Sequence, residues 1–190
     1  MSQTMTTGYL AGQLLIAMPQ MSDPRFARTV VYLCAHNAEG AMGLVVNRAL
    51  GGLTFPQLLE QLEIPSTSEC EAIRILFGGP VEVGRGFVLH SDDYLHDNTM
   101  RVAEGVALTA TVDVLRAIAE GNGPSRMLLA LGYAGWGSGQ LDNEIRDNAW
   151  LIAPSDPDLL FAPDLERKYE QAIHKLGIDV GLLSGEAGHA

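Results

Sequence analysis

Cysteine is scarce in this chain: Cys34 and Cys70 are the only two, and neither belongs to a C-x-x-C pair. Two cysteines are too few for a small fold stabilised by several disulfides. Because they are far apart in the sequence, they also do not form the paired-cysteine motifs of zinc sites and redox proteins. Cys34 lies in the apolar run "VVYLCA", which predicts a buried, unpaired thiol in a reducing compartment. Cys70 lies in the polar run "STSECEA", so we expect it near the surface and not bonded to Cys34.

Positive charge is also scarce. The chain has 12 basic residues against 23 acidic ones, for a net charge of −11, and no basic stripe is visible. Binding to nucleic acid depends on basic residues that replace the counterions of the phosphates. The helix predicted at 109–121 contains one arginine and two acidic residues, which is unlike the recognition helix of a helix-turn-helix protein. We therefore expect no direct binding to nucleic acid.

Long apolar runs are absent as well. The longest stretches are well short of the roughly 18 residues that suggest a membrane span, and the N-terminal sequence lacks the features of a secretory signal. These absences predict a cytoplasmic protein without a membrane segment. Hydrophobic residues still make up 47% of the chain, which is enough for a globular core. We expect a single domain over 1–190, with flexible ends near 1–7 and 184–190.

The apolar patterns that are present alternate between strand-like and helical segments. Strands are predicted at 12–19, 28–37, 43–48, 73–81, 84–91, 125–133 and 149–154, and helices at 54–64, 109–121, 138–148 and 163–178. Residues 99–109 are expected to form two short strands or one hairpin around Glu104-Gly105, and Ile178 is expected to fold back on Ile173. The order is not a regular strand–helix alternation, which favours an α+β domain with a mixed or antiparallel sheet and helices packed against it.

The stretch "GYAGWGSGQL" at 132–141 is rich in glycine, which suggests a close approach to a ligand or to backbone. It matches neither the dinucleotide fingerprint, nor a phosphate-binding loop with its lysine, nor a nucleophile elbow around Ser138. Two interpretations remain open. The free N–H groups of the following helix could attract an anion or a carbonyl, or the glycines could only allow a tight turn with Trp136 packed over it.

Two clusters have residue types that could support chemistry. In "HSDDYLHD", His90, Asp92, Asp93 and His96 could ligate a divalent ion, but the spacing is not that of a metal helix, so a solvated loop anchored by one histidine is favoured and no metal is expected. In "CAHNAEG", Cys34 and His36 could act as nucleophile and base, because strand alternation puts them on the same face. The buried context of Cys34 argues instead for an inert thiol.

Three long blocks of the sequence resemble the YqgE/AlgH family. They are "GYLAGQLLIAMPQMSDPRFARTVVYLCAHNAEGAMGLVVNR", "LFGGPVEVGRGFVLHSDDY" and "LGYAGWGSGQLDNEIRDNAWL", in the family's order. One departure is Asp142, where the family would have a glutamate. The resemblance implies an α+β fold in which a mixed, largely antiparallel sheet is partly closed into a small barrel surrounded by helices. It implies no established activity, catalytic residue or cofactor, although family members are often labelled transcriptional regulators.

The sequence leaves two functions open: a non-enzymatic binding or regulatory module that acts on a protein partner or small ligand, and a small-molecule enzyme with an unfamiliar pocket. A direct DNA-binding regulator is the least favoured function. Polar residues beside glycine-rich strand ends define a candidate pocket, because a pocket needs polar groups at close-approaching backbone. Arg48 and Glu144 are expected to meet there at about 4 Å, or through water or ligand. The candidate residues are Asn47, Arg48, Gly78, Gly79, Pro80, His90, Trp136, Gln140 and Glu144.

Overall fold

A computed structural model describes residues 10–177, so the expected flexible ends and the contact of Ile178 lie outside the described residues. Within this range nine strands form one sheet. They are β1 (Gln13–Ala17), β2 (Val30–Asn37), β3 (Gly40–Val45), β4 (Ile75–Phe77), β5 (Val81–His90), β6 (Thr99–Ala103), β7 (Val106–Thr109), β8 (Met127–Trp136) and β9 (Trp150–Pro154). The segment at 99–109 is thus the predicted pair of strands, and its turn contains Gly105 with a φ of 81°.

The helices of the described range pack against this sheet. They are α1 (Phe55–Gln61), α2 (Val112–Ala119), α3 (Gln140–Arg146), α4 (Pro157–Leu160) and α5 (Leu165–His174), with a 3₁₀ turn at Ser68–Ala72. The predicted capping box of α1 is present, since Thr54 and Gln57 exchange side-chain and backbone hydrogen bonds. Helix α1 is shorter than predicted, because Glu63 adopts a left-handed φ of 60°. No helix between residues 10 and 177 is both long and apolar enough to cross a bilayer.

The sheet curls into a half-barrel. Its strand order is β6-β7-β5-β8-β3-β2-β1-β9, and β4 also pairs with β8. The pairing of β4 with β8 is parallel, and the other pairings are antiparallel. The edge strand β6 approaches the residue before β1, since a methyl group placed on Gly12 would lie 3.1 Å from Cβ of Ala103 in β6. The α+β fold with a partly closed, largely antiparallel sheet is therefore confirmed.

Three apolar clusters hold the layers together. The inner cluster contains Tyr32, Leu44 and Phe87 and extends to α4 and α5. A second cluster packs α1 and α2 against one outer part of the sheet, and a third packs α3 and both tryptophans against another part. At the α5 end, Lys168 is fully buried and donates to the carbonyl oxygens of Val46 and Leu160, at 3.1 and 2.8 Å. This end of the half-barrel is closed by helix.

Both cysteines are buried and neither is in a disulfide. The prediction that Cys34 is buried and unpaired is confirmed, and burial raises the pKa of its thiol to about 12. The prediction that Cys70 lies near the surface is wrong. The 3₁₀ turn directs Cys70 into the second cluster with Phe55 and Leu59, so the polar neighbours that suggested exposure face outward instead.

Candidate functional site

The glycine-rich end of β8 approaches the backbone of its own sheet. A Cβ added to Gly40 would lie 2.3 Å from the carbonyl oxygen of Trp136, and one added to Gly79 would lie 2.1 Å from the carbonyl carbon of Tyr133. Neighbouring segments can come this close to β8 only without a side chain. Gly139 has a φ of 73° and turns the chain into α3. Within the glycine-rich stretch, close packing accounts for Gly132, whose added Cβ would lie 2.3 Å from the carbonyl oxygen of Gly79, and the tight turn accounts for Gly139. A Cβ added to Gly135 or Gly137 would meet no atom beyond its chain neighbours closer than 3.4 Å, so close packing does not explain those two glycines.

Glu144 connects α3 to the two tryptophans. Its Oε1 accepts hydrogen bonds from Nε1 of Trp136 and Nε1 of Trp150, each at 2.9 Å. Its Oε2 accepts from Nε2 of Gln140 at 2.9 Å, and Oε1 of Gln140 accepts from the backbone N–H of Gly137 at the same distance. The expectation that Gln140 and Glu144 share a helix face is confirmed. Together with buried Leu141, these bonds fix α3 on the sheet.

Arg48 and Glu144 bind different partners, so the direct ion pair predicted between them is wrong. The Arg48 guanidinium donates to the carbonyl oxygens of Pro24, Arg25 and Ala27, at distances from 2.8 to 3.3 Å. Backbone carbonyl groups of this loop thus bind the Arg48 guanidinium, whereas the Glu144 carboxylate is bound by the two indole N–H groups. The neighbouring Asn47 accepts from the backbone N–H of Val30 and donates to the carbonyl of Arg28. Asn47 and Arg48 line a small cleft beside α5, together with Arg28 and Tyr169.

Other members of the predicted pocket have structural contacts. Gly78 donates to the carbonyl of Leu131 and accepts from the N–H of Val45, which places the Gly78–Pro80 segment against the sheet. His90 is fully buried. Its Nε2 lies 2.8 Å from Oγ1 of Thr109, and its Nδ1 donates to the carbonyl of Ser91 at 2.8 Å. Burial lowers the pKa of His90 below its ordinary value.

The acidic loop after β5 is held by local contacts. Asp92 accepts from Arg101 at 2.6 Å and from the N–H of Gly105 at 3.0 Å, and the bond from Arg101 is the main reason that its pKa is lowered. Asp93 accepts from the hydroxyl of Ser91, which lowers its pKa most. Among the residues that the structure describes, no group of three or more histidine, cysteine, aspartate or glutamate side chains could hold a metal ion.

A β-bulge separates Cys34 from His36. The pairing of β2 with β3 runs from Leu33 opposite Gly43 to Ala35 opposite Met42, so Cys34 is the extra residue and the alternation of faces reverses there. Cys34 belongs to the inner cluster. His36 instead accepts from the N–H of Leu10 and lies 3.4 Å from Asp142 of α3. The same-face expectation for Cys34 and His36 is therefore wrong.

A cavity of about 740 Å³ opens at the mouth of the half-barrel, at the opposite end of β2 from α5. This volume lies within the range of small-molecule sites, roughly 300 to 1,000 Å³. Of the predicted pocket residues, Trp136 lines this cavity, whereas Asn47 and Arg48 line the separate cleft. Apolar lining residues include Ala35, Met42, Val81, Phe87, Met100 and Leu108, and polar ones are Asn37, Glu39, Arg85, Asn98 and Tyr133.

Four side chains form a connected array at this mouth, which we call the Arg85 array: Glu82, Arg85, Phe87 and Tyr133. The guanidinium carbon of Arg85 lies 5.1 Å from the ring centroid of Phe87, whose ring meets that of Tyr133 edge to face at 5.7 Å. The Tyr133 hydroxyl donates to Oε2 of Glu82 at 3.2 Å, and Oε1 of Glu82 lies 3.8 Å from Arg85. Burial and this hydrogen bond raise the pKa of Tyr133. The array combines a cation, a hydroxyl and an aromatic face.

Sequence patterns did not identify the Arg85 array. The sequence predicts a strand over 84–91, whereas β5 begins at Val81. Its pairing with β8 shifts between Val81 and Gly86, so the residues between them bulge out of the sheet. Arg85 lies between two glycines in "GRG", and this was the available signal. A charged residue flanked by glycines in an apolar strand is typical of a bulge.

Comparison with known proteins places the chain among bacterial relatives. It is 58% identical to a UPF0301 protein of Rhodopseudomonas palustris strain HaA2, in an alignment that covers 96% of this chain and 87% of the relative. The solution structure of the AlgH protein from Pseudomonas aeruginosa superimposes with a TM-score of 0.80 at 47% identity and covers 96% of both chains. A crystal structure of protein DIP2367 from Corynebacterium diphtheriae has the same fold, with a TM-score of 0.75 at 21% identity over 93% of this chain and 92% of that one.

The resemblance seen in the three sequence blocks is thus confirmed over nearly the whole chain. The sequence profile described as AlgH-like matches residues 14–181, a range that contains β2 to β9, all five helices of the described structure and all of β1 except Gln13. From this match and from its relatives, the chain belongs to the AlgH-like family.

Proposed function

We propose that this protein is a non-enzymatic binding module of the bacterial cytoplasm, and that the mouth of the half-barrel binds a small molecule with an apolar body and a polar end. The observation that carries this proposal is the composition of the cavity wall. Phe87, Met42 and Leu108 provide apolar surface, while Arg85 and Tyr133, together with Asn37, Glu39 and Asn98, provide polar groups. Predominantly apolar lining with a few placed polar groups is typical of small-molecule sites.

The side chains that suggested catalysis support a binding role better than an enzymatic one. The thiol of Cys34 is buried, its pKa is raised to about 12, and the bulge turns His36 away from it. His90 is buried and bonded to Thr109. Two buried cysteines outside any disulfide suit a reducing compartment, which supports the cytoplasm as the location.

A metabolite screen by thermal shift tests the proposal. We expect at least one amphipathic compound to raise the melting temperature, and its binding to shift the ¹³C-methyl NMR signals of Met42 and Met100, which line the cavity. The variant Ala35→Leu adds bulk to the cavity wall and should abolish binding of that compound. Ala38→Leu is the matched control, because Ala38 is exposed on the β2–β3 turn.

Two results would overturn the proposal. One is a screen in which no compound stabilises the protein. The other is a stabilising compound that shifts different methionine signals and binds the Ala35→Leu variant as tightly as the wild type.

A further inference from the structure

The Glu82 carboxylate contacts the two polar groups that an acidic ligand would need. It accepts the Tyr133 hydroxyl at 3.2 Å and lies 3.8 Å from Arg85, and both Arg85 and Tyr133 line the cavity. A carboxylate beside a guanidinium and a hydroxyl donor is also how proteins bind carboxylate ligands. Glu82 is not part of the cavity wall, but its carboxylate contacts the two wall groups that the acidic end of a ligand would use.

The Glu82 segment is held loosely in this position. Glu82 has a φ of 49°, in the left-handed region that residues other than glycine disfavour, and its side chain is 52% exposed. The adjacent Val83 is 60% exposed. A Cβ added to Gly84 would meet no atom within 4 Å, so the bulge has open space around it. Glu82 can therefore leave Arg85 and Tyr133 without disturbing the core.

We infer that the cavity binds a monocarboxylate with an apolar body, and that Glu82 competes with the ligand for Arg85 and Tyr133. This inference rests on the proposed function. In the complex the ligand carboxylate replaces that of Glu82, and the apolar body packs against Phe87 and the flexible side chains of Met42 and Met100. A single negative charge is favoured, because Glu39 places a carboxylate on the cavity wall.

The test compares 2-naphthoate with its neutral isostere 2-naphthamide by isothermal titration of the full chain. We expect 2-naphthoate to bind about tenfold more tightly or better, since hydrogen bonds to a charged group are the stronger ones. Glu82→Gln should raise the affinity for 2-naphthoate several-fold and leave that for 2-naphthamide unchanged. Arg85→Gln should remove the preference for the carboxylate.

Glu39→Gln is the matched control, because it makes the same change in net charge on the wall of the same cavity. A direct competitor predicts a larger gain from Glu82→Gln than from Glu39→Gln, whereas general charge repulsion predicts equal gains. Glu82→Gly provides a second variant that relieves the left-handed backbone, and it should give the same gain while raising the melting temperature.

The outcomes separate this inference from the proposed function. Any of three results would overturn the inference. They are equal affinities for the two naphthyl compounds, no binding of 2-naphthoate to any variant, and equal gains in affinity from Glu82→Gln and Glu39→Gln. The proposed function would still stand if the metabolite screen finds another ligand whose binding shifts Met42 and Met100. It fails together with the inference if that screen finds none.

Discussion

Replacing the carboxylate of Glu144 by an amide should destabilise the protein, because an amide NH₂ group donates hydrogen bonds where the carboxylate oxygen accepts them. In the native structure Glu144 accepts three bonds, two from indole N–H groups and one from the amide of Gln140. The variant Glu144→Gln keeps the shape of the side chain but offers only one acceptor oxygen. If that oxygen serves Trp136 and Trp150, the new NH₂ group faces the NH₂ group of Gln140.

The size of the effect follows from the exposure of the partners. Trp136 and Trp150 are only 8% and 3% exposed, so their N–H groups have little access to replacement water. Gln140 is exposed and can turn towards solvent. The main loss is the charge-assisted strength of the two indole bonds together with the bond from Gln140, about 1–2 kcal/mol. For a domain of this size, that loss lowers the melting temperature by about 2–8 °C.

The swap Gln140→Glu/Glu144→Gln distinguishes bond direction from bulk. In the double variant the amide oxygen at 144 accepts from both indoles, its NH₂ group donates to the carboxylate at 140, and that carboxylate accepts from the N–H of Gly137. Every bond then has a donor and an acceptor, so we expect the swap to recover most of the lost stability. Urea unfolding gives the free energies, and Glu60→Gln on the exposed face of α1 is the control.

Proton NMR provides an independent measurement, because the chain has only two tryptophans and both bond to Glu144. Their indole N–H protons should exchange faster with solvent in Glu144→Gln and return towards the native rate in the swap. A single variant as stable as the wild type, or a swap no more stable than the single variant, would refute the reasoning.

Four further predictions follow from the charges and buried groups. Burial lowers the pKa of Lys168 to about 8, so above that pH the unfolded chain binds more protons than the folded one. In urea titrations, the free energy of unfolding of the wild type relative to Lys168→Met should therefore rise by about 2 kcal/mol from pH 8 to 9.5. Burial also lowers the pKa of His90, so stability relative to His90→Gln should fall as the pH drops below about 6.5. Cys34 should resist iodoacetamide in the folded protein and react in urea, as judged by mass spectrometry. No sequence-dependent gel shift of duplex DNA is expected at physiological salt and sub-micromolar protein, given the net charge of −11.

The fold could be predicted where local spacing determines structure. The capping box at Thr54 and Gln57 predicted the start of α1, and the four-residue spacing of Gln140 and Glu144 predicted their shared face. These features depend on residues within one or two helical turns, so the sequence contains all the information they need. The irregular order of strands and helices favoured a mixed or antiparallel sheet. The half-barrel came only from the family resemblance, because strand pairing depends on residues far apart in the chain.

The candidate site could not be predicted, because two β-bulges determine which side chains face the cavity. The bulge at Cys34 reverses the face of His36, and the one between Val81 and Gly86 brings Arg85 to the cavity. A bulge depends on how two distant strands align, and simple alternation within one strand does not reveal it. The predicted direct contact of Arg48 with Glu144 also depends on distant parts of the chain. Arg48 donates to backbone carbonyl groups of residues 24–27, and Glu144 accepts from indole N–H groups, so the two charges do not need each other.

Strand β8 determines when the protein can fold during synthesis. It pairs with β3, β4 and β5, and it follows all three in the chain. On the ribosome, these earlier strands have to wait for residues 127–136 to leave the exit tunnel before the centre of the sheet can form. At roughly 5–20 residues per second, the nascent chain exposes unpaired apolar strands for several seconds. The incomplete chain is therefore exposed to aggregation, and a substitution that is harmless to the finished fold can still lower its yield in the cell.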